Sequence, residues 1–160
     1  MSEQRANSCA SFFGMDYVTV TDFHFEKSVF FSSGDSPVET FSRGATSAVY
    51  NEAEKKWRGT VSIFLRSGDE HAAEKSNAFY LQIAMTAYFT FDAENTPEKH
   101  KQFVALLRIN GAFSVFSVMR GMVSAATSAL GLSPAFITPF WDLTKYQWDE
   151  LPLGTDESKE

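Results

Sequence analysis

Reactive and metal-binding side chains are scarce in this sequence: its 160 residues include one cysteine and three histidines. Cys9 has no partner for an internal disulfide, which fits a reducing compartment. His24, His71 and His100 fall on a predicted strand, a turn and a helix start, without ligand spacing among themselves or with Cys9, so no metal site is expected. G-x-S-x-G, G-x-G-x-x-G and Walker-type glycine loops are all missing. Without a nucleophile elbow or a phosphate cradle, the expectation is a protein that is not an enzyme and uses no cofactor. Asp22 and Glu26 share one strand face, but at ~3.3 Å per residue they stand about 13 Å apart, too far for the usual acid/base pair. Positive charge is also short, 14 basic against 20 acidic residues for a net charge of -6. No basic stripe is left for a phosphate backbone, which excludes nucleic acid as a partner. Behind the charges of Met1-Ser-Glu-Gln-Arg5 no apolar run follows, so no secretory signal is expected and the expected location is the cytoplasm.

What the chain has in excess is phenylalanine, 16 residues, within a composition that is 44% hydrophobic and 21% charged. Those proportions describe one soluble domain able to bury about 70% of its unfolded surface. The phenylalanines have two readings, core alone or core plus a surface that receives other apolar chains.

Residues 1–15 are polar and without period apart from Phe12 and Phe13, and are expected to form a flexible arm. From Tyr17 the apolar residues alternate, and the phase slips near Thr21 and Asp22, which predicts a strand with a bulge. Residues 32–37 have loop chemistry, and 38–50 give a weaker strand broken by Gly44. Trp57, Gly59, Val61, Ile63 and Leu65 fall on every second position, and so do Phe79, Leu81, Ile83, Met85, Ala87, Phe89 and Phe91. Both runs predict half-buried strands. Short polar links argue for antiparallel pairing, so a four-stranded meander is expected.

Thr96-Pro97-Glu98 predicts a helix start, with a hydroxyl cap, proline at the first position and an acid in the first turn. That helix is expected to end near Ile109, and Asn110 to cap a second one running to Gly131, about 30 Å long. Ala112, Val115, Phe116, Met119, Met122, Val123, Ala126, Ala129 and Leu130 form its apolar stripe. Beside them Ser114, Ser117, Gly121, Ser124 and Ser128 form a stripe of small residues. Either this second stripe meets water, or it lets another subunit approach. Arg120 and the hydroxyls argue against a membrane span. Past Gly131, two prolines interrupt a segment crowded with Phe136, Ile137, Phe140, Trp141, Leu143, Tyr146 and Trp148. This segment is expected to dock as a short helix from about Asp142, to wall an apolar groove, or both. Residues 149–160 carry five acids and one lysine and are expected to be a disordered tail, leaving 16–148 as the domain.

Three patches resemble the SecB-like protein-export chaperones. Asp22-Phe-His-Phe-Glu26 is similar to the family's D-x-x-F-E in the first strand, and residues 79–91 resemble its long fourth strand. Asn110-Gly-Ala-Phe-Ser-Val-Phe-Ser-Val-Met-Arg120 resembles the start of its long helix, and this third patch continues into residues 131–140, which resemble its proline-bearing connecting loop. The match departs at Gln82, where many members have an acid, at Tyr80, where a smaller apolar residue is usual, and at Ser117-Val118, which replace a Pro-Tyr.

The resemblance implies an α+β fold, a four-stranded antiparallel sheet with a long helix and shorter helices on one face, assembled as a dimer of dimers. It implies an ATP-independent holdase that keeps unfolded preproteins competent for export and hands them to the translocase motor SecA. Phe41, Phe136, Ile137, Phe140, Trp141 and Trp148 would hold the client, and Asp22 and Glu26 would dock the motor. Ser117, Gly121, Ser124 and Ser128 would lie at the subunit contact. A family branch that protects the antitoxin of a toxin-antitoxin pair is the alternative client class. A small apolar-ligand carrier is the rival from outside the family, since a sheet closed by a long helix can enclose a lipid. A purely structural interaction module is a third reading.

Overall fold

The structure is a computed structural model that describes residues 13–29, 31, 39–131 and 146–150. Alternating apolar residues form four long strands, β1 (Phe13–Lys27), β2 (Thr40–Asn51), β3 (Lys56–Gly68) and β4 (Phe79–Phe91), and a fifth, β5 (Trp148–Glu150), joins them in one sheet. Paired structure therefore reaches past both expected ends of the domain, to Phe13 and to Glu150. Of the predicted short helix from Asp142, residues 141–145 lie outside the described set and 148–150 are strand.

The order is β1-β4-β3-β2-β5, with β5 parallel to β2 and the other pairs antiparallel. Only β2, β3 and β4 form the expected meander; β1 lies beyond β4. The link across residues 28–39 is long enough to cross the sheet, unlike the tight turns on which the meander was based. Its first residue is pinned to the start of β4: Ser28 N–H donates to the Ala78 carbonyl at 2.8 Å, and Ala78 N–H donates to Ser28 Oγ at 3.0 Å. The slip expected near Thr21 is present as a register shift between Val20 and Asp22, and another shift lies between Met15 and Tyr17.

One long helical segment covers the inner sheet face. Helix α1 (Pro97–Leu106) passes through a π-helical turn (Leu107–Gly111) into α2 (Ala112–Ala129). Asn110 is thus inside the helix and caps nothing. The buried positions explain why the chain does not stop there: Phe103, Leu107, Gly111, Val115, Met119, Val123 and Thr127 recur at a spacing of four. On a helix of 3.6 residues per turn such a stripe drifts by about 40° per step, and a wider π turn brings it back onto the sheet. Ala112 and Phe116 are buried beside it, whereas Met122, Ala129 and Leu130 of the predicted stripe are exposed. One stretch of the helical run is apolar and long enough by composition to cross a bilayer, but its stripe is spent on β3 and β4.

Between helix and sheet Val61, Leu65, Leu81, Ile83, Phe103, Leu107, Val115, Met119 and Val123 are fully buried. Each such side chain contributes about 1.5–3 kcal/mol by leaving water. The layers touch most closely at Gly59, where a Cβ would stand 2.7 Å from Leu107 Cδ1 and 2.9 Å from Phe103 Cε1. A side chain there would lift the helix off the sheet.

The helix start is as expected: Thr96 Oγ1 accepts from the Lys99 N–H at 3.3 Å, with Pro97 next and Glu98 in the first turn. Thr96→Ala is expected to cost about 1 kcal/mol in denaturant unfolding. Thr96→Ser is expected to restore most of it, and equal losses in the two variants would contradict the cap.

Candidate functional site

Period-two geometry divides the predicted site residues between two faces. β2 residues 40, 42, 44, 46, 48 and 50 point toward the helix, and 41, 43, 45, 47 and 49 point outward. Phe41 is therefore on the outer face, 50% exposed, with its ring 6.4 Å from that of Phe64 and the Arg66 guanidinium 5.8 Å from its centroid. Trp148 pairs with Gly44 and lies on the inner face, where it packs against the core. The structure thus puts Phe41 and Trp148 on opposite sides of the sheet. Phe136, Ile137, Phe140 and Trp141 lie outside the described residues.

Why β2 carries a glycine becomes plain at this edge. A Cβ on Gly44 would stand 2.5 Å from Trp148 Cζ3 and 2.7 Å from Tyr146 Cε1. Missing bulk at Gly44 makes a slot between β2 and α2, filled by the two rings of the chain's own C-terminal segment. Tyr146 meets Phe116 edge-on at 6.1 Å and shares a 2.6 Å hydrogen bond with Ser42. Burial raises the Tyr146 phenol above its ordinary range, and the hydrogen bond it shares with Ser42 partly opposes this. On the outward side Arg43 pairs with Asp149, which holds the guanidinium firmly charged.

Asp22 and Glu26 both lie on the outer face of β1, opposite Ala84 and Tyr80. Neither is a bare carboxylate. The Gln82 amide donates to Asp22, and the Tyr80 hydroxyl donates to the Gln82 carbonyl oxygen at 2.7 Å. His24 Nε2 stands 3.6 Å from a Glu26 oxygen, and the His24 ring meets Tyr80 at 5.7 Å. Burial, with the nearby Glu70 carboxylate, raises the Tyr80 phenol. Gln82 thus does for Asp22 what a second acid in its place would undo.

Gln82→Glu is expected to put like charges side by side and cost roughly 1 kcal/mol at neutral pH. Repulsion raises the folded-state pKa of this carboxylate pair above its unfolded value. The penalty is therefore complete above the folded pKa and shrinks as pH falls through the carboxylate range. Denaturant midpoints of variant and wild type at pH 7 and pH 4 check this, and an equal gap at both would contradict it.

On the helix, Ser117, Gly121 and Ser128 are exposed and Ser124 is half-buried. Ser117 Oγ donates to the Phe113 carbonyl at 2.8 Å, so its hydroxyl is satisfied within the helix. The same side carries Phe113, 58% exposed, and Ile109, 48% exposed. These two the sequence reading missed, because each fits an apolar helix pattern and nothing local says which way the helix rolls. Met15, Val20 and Phe23 form another uncovered strip, on the inner side of β1, where no helix lies over the sheet among the described residues. On the outer face the small side chains of Ala45, Ser62, Ala84 and Thr86 leave a hollow of 220 Å³ beside Phe64 and the Arg43–Asp149 pair.

A sheet of order β1-β4-β3-β2 backed on one face by a long helix is the SecB-like fold, and this chain has it. The SecB-like chaperone Rv1957 of Mycobacterium tuberculosis, solved in complex with a ChAD peptide from the Rv1956 HigA1 antitoxin, matches with a TM-score of 0.53. It is 14% identical, and the match covers 81% of this chain and 91% of that one. A protein of unknown function from Streptococcus agalactiae matches with a TM-score of 0.49 at 12% identity, over 80% of this chain and 97% of that one. No family model and no curated protein matches the sequence. The resemblance read from three sequence patches is therefore matched in the fold, together with a fifth strand that the four-stranded expectation lacked.

Proposed function

We propose that this chain is a SecB-like holdase, a cytoplasmic, non-enzymatic chaperone that binds unfolded polypeptide without ATP. The observation that carries the reading is the shared fold with a chaperone solved with a peptide bound. The exposed apolar side chains agree with it: Phe41 and Val49 on β2, Phe23 and Val20 on β1, and Phe113 and Ile109 on the helix. A folded protein hides its apolar runs, so such surfaces select chains that have not folded. At ~25 cal/mol per Å² of apolar area, several weak contacts along one client sum to useful affinity. Self-association through the small-residue side of the helix belongs to the same reading. The carrier alternative loses its support, because the space between sheet and helix is filled by Phe89, Phe103, Leu107 and Met119.

Two client classes fit. The peptide held by the structural neighbour favours a dedicated antitoxin-type client. The Asp22 and Glu26 face favours preproteins and transfer to SecA, although Gln82 neutralises part of that patch. Titrating the protein, without nucleotide, with a labelled unfolded preprotein and with an antitoxin-type C-terminal peptide tests both. Saturable binding of either supports the holdase, and the tighter of the two assigns the class. Binding of neither contradicts it.

A further inference from the structure

Resting on the holdase reading, we propose that residues 146–150 are a latch: β5 occupies a subsite for extended polypeptide on the β2 edge, and a client strand displaces it to bind. The subsite is built for an alternating aromatic pattern. Tyr146 and Trp148 are two residues apart, and both rings lie over Gly44, where any side chain would exclude them. Asp149, between them and the end of the strand, points outward to Arg43. The matching client segment is an extended chain running parallel to β2, with aromatic residues at alternate positions and an acid directly after the second.

The latch holds loosely by three measures. It pairs only Gly44, Ala45 and Thr46 of a β2 that runs from Thr40 to Asn51. Among the described residues no strand pairs with the rest of that edge, and unpaired main-chain groups are a template for addition, so an incoming strand can pair with more of it than β5 does. Buried indole N–H should be hydrogen-bonded, yet the Trp148 Nε1 is buried without a partner among the described residues. The ion pair is solvent-exposed, Arg43 at 68% and Asp149 at 49%, and pairs of that kind add little. A site closed by its own chain binds others with an affinity reduced by the closed fraction, so opening the latch tightens client binding. This reverses the role expected for Trp148 from the sequence: it competes with the client for the slot.

Ala45 and Asp149 are register partners, which places a disulfide between them within reach. The test uses the full chain with Ala45→Cys and Asp149→Cys in a Cys9→Ser background, and a fluorescent unfolded client. The oxidised, locked form is expected to bind about tenfold more weakly than the same protein reduced. Trp148→Ala is expected to bind more tightly than wild type, and adding a synthetic peptide of residues 142–152 is expected to compete with the client on that variant. Equal client binding by oxidised and reduced protein, or weaker binding by Trp148→Ala at unchanged helicity, overturns the latch and leaves the holdase standing. Absence of client binding by wild type and by both redox forms overturns the holdase reading and the latch with it.

Discussion

Phe103→Ala is expected to remove about 4 kcal/mol of folding stability. The ring is fully buried and joins every layer at the start of the helix. It stacks on Phe91 at 5.5 Å and 10°, meets Phe13 at 6.1 Å and Trp57 at 6.4 Å, and touches Gly59. Removing it empties a space bounded by β1, β3, β4 and α1. None of these can collapse inward without breaking strand pairing or the capped start of α1. Domains of this size are stable by about 5–15 kcal/mol, so the variant is expected near the limit of folding at 37 °C. Phe103→Leu, which keeps most of the volume, is expected to lose less than half as much. Urea unfolding followed by circular dichroism measures both. A loss below about 1 kcal/mol for the alanine variant would mean that α1 does not seat on the sheet as described.

Gly121→Arg is expected to abolish self-association while leaving the protomer folded. A Cβ at Gly121 meets nothing within 4 Å, so the free chain accepts a side chain there. Helix propensity even favours the change, because arginine is a good helix former and glycine is about 0.8–1 kcal/mol worse than alanine. A second copy packed along Ser117, Gly121 and Ser128 would meet a long charged side chain in the middle of its contact. Light scattering is expected to show the wild type as an oligomer and the variant at half that mass or less, with the same helical signal. An unchanged mass would mean that the small-residue side of the helix faces water and that any assembly uses another surface. Ser124→Arg is a weaker test, because Ser124 is half-buried in the protomer and part of any effect would be local strain.

Both expectations depend on features that were legible in the sequence to different degrees. β3 and β4 were readable because their two faces meet different surroundings, and alternation records that difference directly. The bulge after Val20 was readable for the same reason, since an inserted residue shifts the phase of Phe23 and Phe25. The shift near Asp16 left no such mark, because the residues around it are polar or lie on the partly uncovered inner side of β1. Strand order was not readable. Alternation says which way a side chain points but not which strand is beside it, and β1 lies beside β4 although the link after it, which local chemistry marks only as a loop, leads to β2.

The same limit applies to the site. That Asp22 and Glu26 share a face follows from period two alone. That Phe41 and Trp148 lie on opposite faces follows only once β5 is known to pair with β2 at Gly44. β5 itself is three residues long, too short to carry a period. The available signal was Gly44, a glycine in a strand interior, which marks a close approach by another part of the chain. Ile109 lies in the π turn and Phe113 just beyond it, where a 3.6-residue period no longer says which side of the helix faces the sheet.

The proposed activity is to hold unfolded polypeptide without nucleotide. Its most direct test is light scattering from a chemically denatured client diluted out of denaturant, with and without a stoichiometric amount of the full chain and no ATP. Aggregation is expected to be suppressed in proportion to the protein added, up to saturation. Unchanged aggregation in the presence of folded protein, across clients that include a preprotein and an antitoxin, would contradict it.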